Sequence, residues 1–277
     1  MQKKRIIYWV TVALLSLVIL VCGVLIVLKL VGDARQKEIN NQIRETLQER
    51  PSITATVPSE TSNATESSTG PDESQPSTEP EPSTEPSILF RYQLLYEMNN
   101  DLVGYIEIPG TEISYPVVQS KYEANYYLRK NFYKQGAACG TIYVREACDV
   151  NVPSDNVTIY GHKMTNGTMF ADLHLYKDKD FWEDNRIVHF DTLYEFHDYE
   201  IFAVFQTSVN VADGFNYHLF DDAADAADFD EFVSKCKELS YYDTGITPQY
   251  GDKLITLSTC DKSIQEGRLV VVARRIQ

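Results

Sequence analysis

Hydrophobic positions fall along this chain in three unlike patterns. From Ile6 to Leu28 come 23 consecutive uncharged residues, rich in Val, Leu and Ile and preceded by Lys3, Lys4 and Arg5. At about 1.5 Å of helix rise per residue, such a run crosses a bilayer core of about 30 Å. It is longer than the apolar segment of a cleaved signal peptide, and no small-residue cleavage pattern follows it. Val21 precedes Cys22 where a lipidated cysteine would need a small residue. The pattern therefore predicts an uncleaved transmembrane anchor over 6–31 behind a cytoplasmic tail at 1–5. The basic cluster leaves the N-terminus inside and everything after the anchor outside the cell.

Residues 32–50 contain strong helix formers but only a sparse apolar stripe, Ile39, Ile43 and Leu47, which predicts a stalk helix with little core. In residues 51–87 hydrophobic periodicity stops altogether. Of these 37 residues, 30 are Pro, Ser, Thr, Glu or Asp, none is aromatic, and Ser-Thr-Glu-Pro recurs at 77–80 and 83–86. Such a composition cannot offset the entropy of ordering, so a disordered Ser/Thr/Pro/Glu linker is expected. Fully extended at about 3.1 Å per residue, it would reach on the order of 100 Å.

Residues 88–277 return to periodic patterning and are enough for one domain with a substantial core. Strands are predicted at Val103–Ile108, Ile113–Val118, Gly140–Val144, Val157–Tyr160, Ile187–Phe190, Tyr199–Val209, Leu254–Leu257 and Leu269–Ala273. Turn chemistry such as Pro109-Gly110 and Asn166-Gly167 separates several of them. Helical spacing appears at Phe90–Asn99, near Met169–Tyr176, and at Ala223–Leu239, where Phe229, Phe232, Val233 and Cys236 recur. Many short strands with few helices predict a mainly β fold, a barrel decorated by helices.

Charge narrows the partners. The formal net charge is −15; residues 88–277 carry 17 Lys and Arg against 29 Asp and Glu, with no basic stripe. That excludes nucleic acid, whose phosphates need clustered cations, and disfavours an anionic membrane surface. Five Cys in 277 residues are too few for a disulfide scaffold. Cys139 and Cys148 can pair or sit apart in the core, and the core is the favoured reading. No His/Cys ligand cluster has metal spacing, and the carboxylates read as a solvated surface rather than a calcium site.

Three residues have contexts suited to chemistry. Cys260 ends the apolar run Leu254–Thr259 and opens into a polar loop, a rigid and accessible place for a nucleophile. His162 follows the strand Val157–Tyr160 through Gly161 and can exchange a proton near neutrality. Arg268 begins the last strand eight residues after Cys260, where a guanidinium lowers a thiol pKa and stabilises an oxyanion. Taken singly, each has an ordinary reading: a core thiol, a surface imidazole, a solvated cation.

Together these segments resemble the sortase family. The resemblance rests on Thr256-Leu257-Ser258-Thr259-Cys260, Tyr160-Gly161-His162 and Gly267-Arg268-Leu269-Val270-Val271. It extends over about 90–277 through Gly104-Tyr105-Ile106, Ile113-Ser114-Tyr115-Pro116-Val117 and Thr168–Leu173. The Leu-Ser-Thr-Cys form, the N-terminal helix and the long helix before the Cys-bearing strand resemble class B. The loop from Cys260 to Arg268 is shorter than in some class B members.

The resemblance implies an eight-stranded barrel over 88–277 and a membrane-anchored cysteine transpeptidase without cofactors. Cys260 would cleave a C-terminal sorting signal after Thr through a thioacyl intermediate. His162 would protonate the leaving amine, and Arg268 would hold the oxyanion. Ser258 and Tyr217 would line the substrate groove. The acceptor would be an amine of the cell wall peptidoglycan precursor, or a pilin Lys if the enzyme polymerises pilins. A cysteine hydrolase, in which water resolves the acyl enzyme, and a stalked binding ectodomain without a triad are the other readings.

Overall fold

Residues predicted as anchor and stalk form one unbroken helix, α1 (Gln2–Thr46), in the computed structural model, which describes residues 2–47, 50, 87–209 and 214–276. The linker expected over 51–87 lies, up to residue 86, outside the described residues. Among the described residues, α1 is the one helix long and apolar enough to cross a membrane, and its apolar window is covered by nothing else in the protein.

The end of α1 does more than predicted. Ile43 is 2% exposed and joins a cluster with Tyr92, Leu95, Tyr105 and Tyr127, with Ile39 and Leu47 packed against it. Burying one Ile stabilises by about 1.5–3 kcal/mol, so the sparse stripe, read as having little core, is a docking face. Arg44 donates to the Glu112 carbonyl. Beyond the helix Arg50 reaches Asp191 and Asp198 at 3.0 and 2.7 Å. On the far side of the linker, Leu89 N–H donates to the Leu193 carbonyl at 2.8 Å. The two flanks of the linker thus meet the same corner of the barrel.

After α2 (Phe90–Met98) come β1 (Leu102–Glu107), β2 (Ser114–Val118), β3 (Ile142–Val144) and β4 (Asn156–Tyr160). Then follow α3 (Lys179–Asp184), β5 (Ile187–Thr192), β6 (Asp198–Ser208), α4 (Ala226–Leu239), β7 (Leu254–Cys260) and β8 (Gly267–Arg275). The eight strands close into a barrel in the order β1-β2-β3-β4-β7-β8-β6-β5. Two neighbour pairs, β2/β3 and β4/β7, are parallel, and the rest are antiparallel.

β8 shows why its sequence reads as a continuous apolar run. Leu269, Val271 and Ala273 point into the barrel, while Val270 and Val272 face a second cluster with Phe229, Phe232 and Cys236 of α4. A strand covered on both faces needs apolar residues at every position. The helix predicted from Ala223 begins at Ala226 because Asp225 caps it, its carboxylate accepting from the N–H groups of Ala227 and Asp228. The stretch near Met169 is a 3₁₀ helix at Ala171–Lys177, and α3 and the 3₁₀ turn Tyr126–Arg129 were not predicted.

Candidate active site

Cys260 closes β7 and pairs across the ladder with Arg268 near the start of β8. β7 also runs parallel to β4, with Tyr160 beside Ser258 and the Gly161 N–H donating to the Ser258 carbonyl at 3.1 Å. Cys260 lies two residues beyond Ser258 at the end of β7, and His162 lies two residues beyond Tyr160, in the turn after β4. Side chains alternate with period two. Ile255, Leu257, Val271 and Ile159 occupy the barrel interior, so Ser258, Cys260, Arg268, Val270 and Tyr160 belong to the opposite, outer face. Cys260 and Arg268 thus come from adjacent strands at one end of one sheet face, and His162 from the turn that follows the neighbouring strand β4.

Two glycines make this convergence possible. A Cβ on Gly161 would lie 2.5 Å from side-chain atoms of Ile142 and Phe170, so only glycine lets the His162 turn lie so close to the barrel. A Cβ on Gly267 would lie 2.3 Å from the Asp261 carbonyl oxygen. That closeness lets the loop tighten, with Asp261 N–H donating to the Gly267 carbonyl and Glu266 in the left-handed region at φ 51°.

Cys260, His162 and Arg268 line one cleft of about 350 Å³, with Tyr217 and His218 on one wall and Asn125, Leu128, Tyr143 and Tyr160 on others. Ser258 and Tyr217 meet there: their hydroxyls are 2.6 Å apart, and both residues are buried. Burial pushes the Tyr217 phenol up to about 12 despite the Ser258 bond, so it stays neutral. His162 Nε2 lies 2.9 Å from the Leu128 carbonyl. A carbonyl only accepts, so Nε2 carries a proton and donates. Arg268 donates through Nη1 to the Gly267 carbonyl at 3.0 Å and, among the described residues, pairs with no carboxylate.

Several polar groups here lack partners. Thr259 Oγ1 and His218 Nδ1 are buried without a hydrogen bond. Burial, then Arg145 and Arg268, hold the His218 imidazole below its ordinary pKa. Behind the cleft, Lys177 pairs with Asp261 at 2.6 Å. Burial alone would raise the Asp261 carboxyl, but Lys177 and the Ser263 hydrogen bonds hold it well below the usual carboxylate range. His174, which follows an apolar pattern in sequence, lies 3.3 Å from the Cys260 carbonyl. Nothing in the sequence singled out His174 or the Leu128 carbonyl. Their roles depend on two loops folding back onto the strand ends.

Cys139 and Cys148 are free thiols in the core, not a disulfide. Burial raises them to about 11 and about 12, which keeps them inert. Among the described residues no group of three or more His, Cys, Asp or Glu is placed to hold a metal ion.

The Sortase domain profile matches residues 106–276. Sortase B of Listeria monocytogenes is 34% identical over 184 residues, covering 66% of this chain and 72% of that protein. Among solved structures, the Staphylococcus aureus sortase B-substrate complex superposes with a TM-score of 0.63 at 28% identity, covering 69% of this chain and 87% of the other. Sortase B from B. anthracis in complex with AAEK1 gives a TM-score of 0.62 at 33% identity, covering 71% and 89%.

Proposed function

The chain belongs to the sortase family and is a class B-like cysteine transpeptidase, and from that premise we propose that Cys260, His162 and Arg268 carry its reaction. The observation that supports this most directly is the ladder pair Cys260 and Arg268, flanked by the parallel β4 end that leads to His162. In this reading a secreted protein bearing a C-terminal sorting signal lies in the cleft with its Thr carbonyl over Cys260. The Cys260 thiol gives its proton to His162 as the sulfur attacks that carbon, and the charge building on the oxygen is met by the Arg268 guanidinium, whose planar fork of donors pairs with no carboxylate among the described residues. His162 passes a proton to the leaving amine as the peptide C–N bond breaks, leaving a thioacyl enzyme.

In the second half an amine of the cell wall peptidoglycan precursor gives its proton back to His162, attacks the thioacyl carbon and expels the Cys260 thiolate. Tyr217 and Ser258, locked together at 2.6 Å, form a polar floor for the bound peptide. The helix α1 anchors the enzyme through residues 6–31, with the N-terminus cytoplasmic and the barrel outside.

The test uses the full chain in detergent micelles with a pooled library of Thr-containing C-terminal signal peptides. Mass spectrometry is run with and without an added amine. The expected result is a Cys260-dependent thioacyl adduct whose product changes from acid to amide when amine is present. An adduct resolved only by water would replace the transfer reading with hydrolysis.

A further inference from the structure

Behind the cleft, the 3₁₀ helix Ala171–Lys177 touches both segments that bear the proposed reacting pair. The turn after β4 leads into it: Phe170 N–H donates to the His162 carbonyl at 2.9 Å, and Lys163 bridges to Met169. From this helix His174 sends Nε2 to the Cys260 carbonyl at 3.3 Å and Nδ1 to the Lys163 ammonium at 3.1 Å. Lys177, one turn on, holds Asp261, the residue after Cys260. The two contacts of His174 demand one form of its ring. A carbonyl accepts, so Nε2 carries hydrogen; an ammonium donates, so Nδ1 carries the lone pair. Only the neutral Nε2–H tautomer makes both bonds.

We propose that His174 is a positioning residue that ties the Cys260 strand end to the His162 turn and sets the distance between thiol and imidazole. This rests on the reading of Cys260 and His162 as the reacting pair. His174 touches neither reacting atom. It acts through the backbone of one partner and the next side chain of the other, much as outer partners of catalytic groups fix their orientation.

The tie is also sensitive to acid. The groups facing His174 are Lys163 from the turn after β4, Lys177 from its own helix, and Asp261 from the loop after β7, whose Oδ2 is 4.0 Å from Nδ1. Burial, then Lys163, hold the imidazole below its ordinary value, against the Cys260 carbonyl and Asp261. The neutral ring is therefore the form present at neutrality. On acidification a proton at Nδ1 removes the acceptor for Lys163 and sets a third cation beside two lysines, with Asp261 alone to offset them. The tie is intact above the depressed value and is lost as pH falls through it.

The test is the rate at which iodoacetamide alkylates Cys260 in the full chain in detergent, followed by mass spectrometry from about pH 5 to 8. His174→Ala is expected to slow alkylation by about tenfold, in line with the large effects of small misplacements in reacting pairs. His174→Gln, whose amide can both donate to Cys260 and accept from Lys163, should stay within about threefold of wild type. It should also lose the acid inflection contributed by His174. Wild-type rates in both variants would overturn the proposal. So would equal slowing in both that tracks a fall in melting temperature, because that is a packing role. His162→Ala is the control: if it leaves alkylation unchanged, the Cys260 and His162 reading itself fails. If it slows alkylation while His174→Ala does not, only the positioning role fails.

Discussion

At the corner where Asp191 meets Arg50, and at the cleft where Cys260 meets Arg268, the barrel gathers similar side chains and treats them in opposite ways. Each place has an arginine, a histidine and a tyrosine on neighbouring elements. At the corner every group is answered: Asp191 accepts from Arg50, from the Tyr92 hydroxyl at 2.7 Å and from the His197 N–H, and His189 meets Asp198 at 2.6 Å. At the cleft, among the described residues, Arg268 has a neighbouring backbone carbonyl and no carboxylate, and the buried Thr259 Oγ1 and His218 Nδ1 have no hydrogen-bond partner. Buried polar groups left unmet destabilise a fold, whereas a fully connected network rigidifies it. The difference separates a clasp that holds the molecule together from a cleft whose arginine is left without a carboxylate among the described residues.

That contrast can be broken at either end. The largest expected effect is at the cleft: Cys260→Ala should abolish turnover, because no other group can form the acyl enzyme, while leaving the melting temperature near wild type. Peptide cleavage measured beside a thermal melt checks both halves. Next, Arg268→Ala should lower kcat by about 10²–10³-fold if it meets the oxyanion, and Arg268→Lys should rescue poorly because the planar fork is gone. Wild-type-like kinetics in Arg268→Ala would remove it from the mechanism. At the corner the signs reverse. Asp191→Ala leaves Arg50 and Tyr92 facing each other without their shared carboxylate, and denaturant unfolding should show a loss of about 3 kcal/mol. Activity per folded molecule should hold.

The smallest effect is one of pH. Burial alone would raise Asp198, but its bonds to His189 and Arg50 hold it below the ordinary carboxylate value. Its contribution is therefore present above about pH 3.9, the unperturbed value, and is lost as pH falls through the depressed one. Asp198→Asn should unfold more easily at neutral pH and show a shallower acid decline in melting temperature than wild type. An unchanged acid profile would mean that the corner does not depend on this charge.

Much of this was legible in the sequence, for identifiable reasons. The eight strands stood out because barrel strands covered on both faces, such as β7 and β8, leave long apolar runs. Cys260 and Arg268 were readable as neighbours because a tight loop ending in Gly267 allows a direct return. What could not be read depends on distant backbone. The Leu128 carbonyl that orients His162 lies 34 residues before it, in the 3₁₀ turn Tyr126–Arg129. His174 was hidden because one face of its short helix packs Leu173 and Tyr176 into the core, so an apolar pattern surrounds a polar contact. α3 was missed because six residues are too few for periodicity to register. The stalk stripe was undervalued because three apolar residues imply a weak face until a partner surface is in view.

Arg50 and Leu89 end at Asp191 and Leu193, two positions apart on one corner. A rope whose two ends are tied to the same post gives no extra reach, whatever its length. With Ile43 seated on the barrel, only the 12 helix steps from Val31, the end of the proposed anchor, to Ile43, about 18 Å at 1.5 Å each, separate that segment from the barrel. In the anchored reading proposed above, the enzyme's height over the membrane is set by a few side-chain contacts of α1. Lengthening or shortening residues 51–86 should leave that height alone.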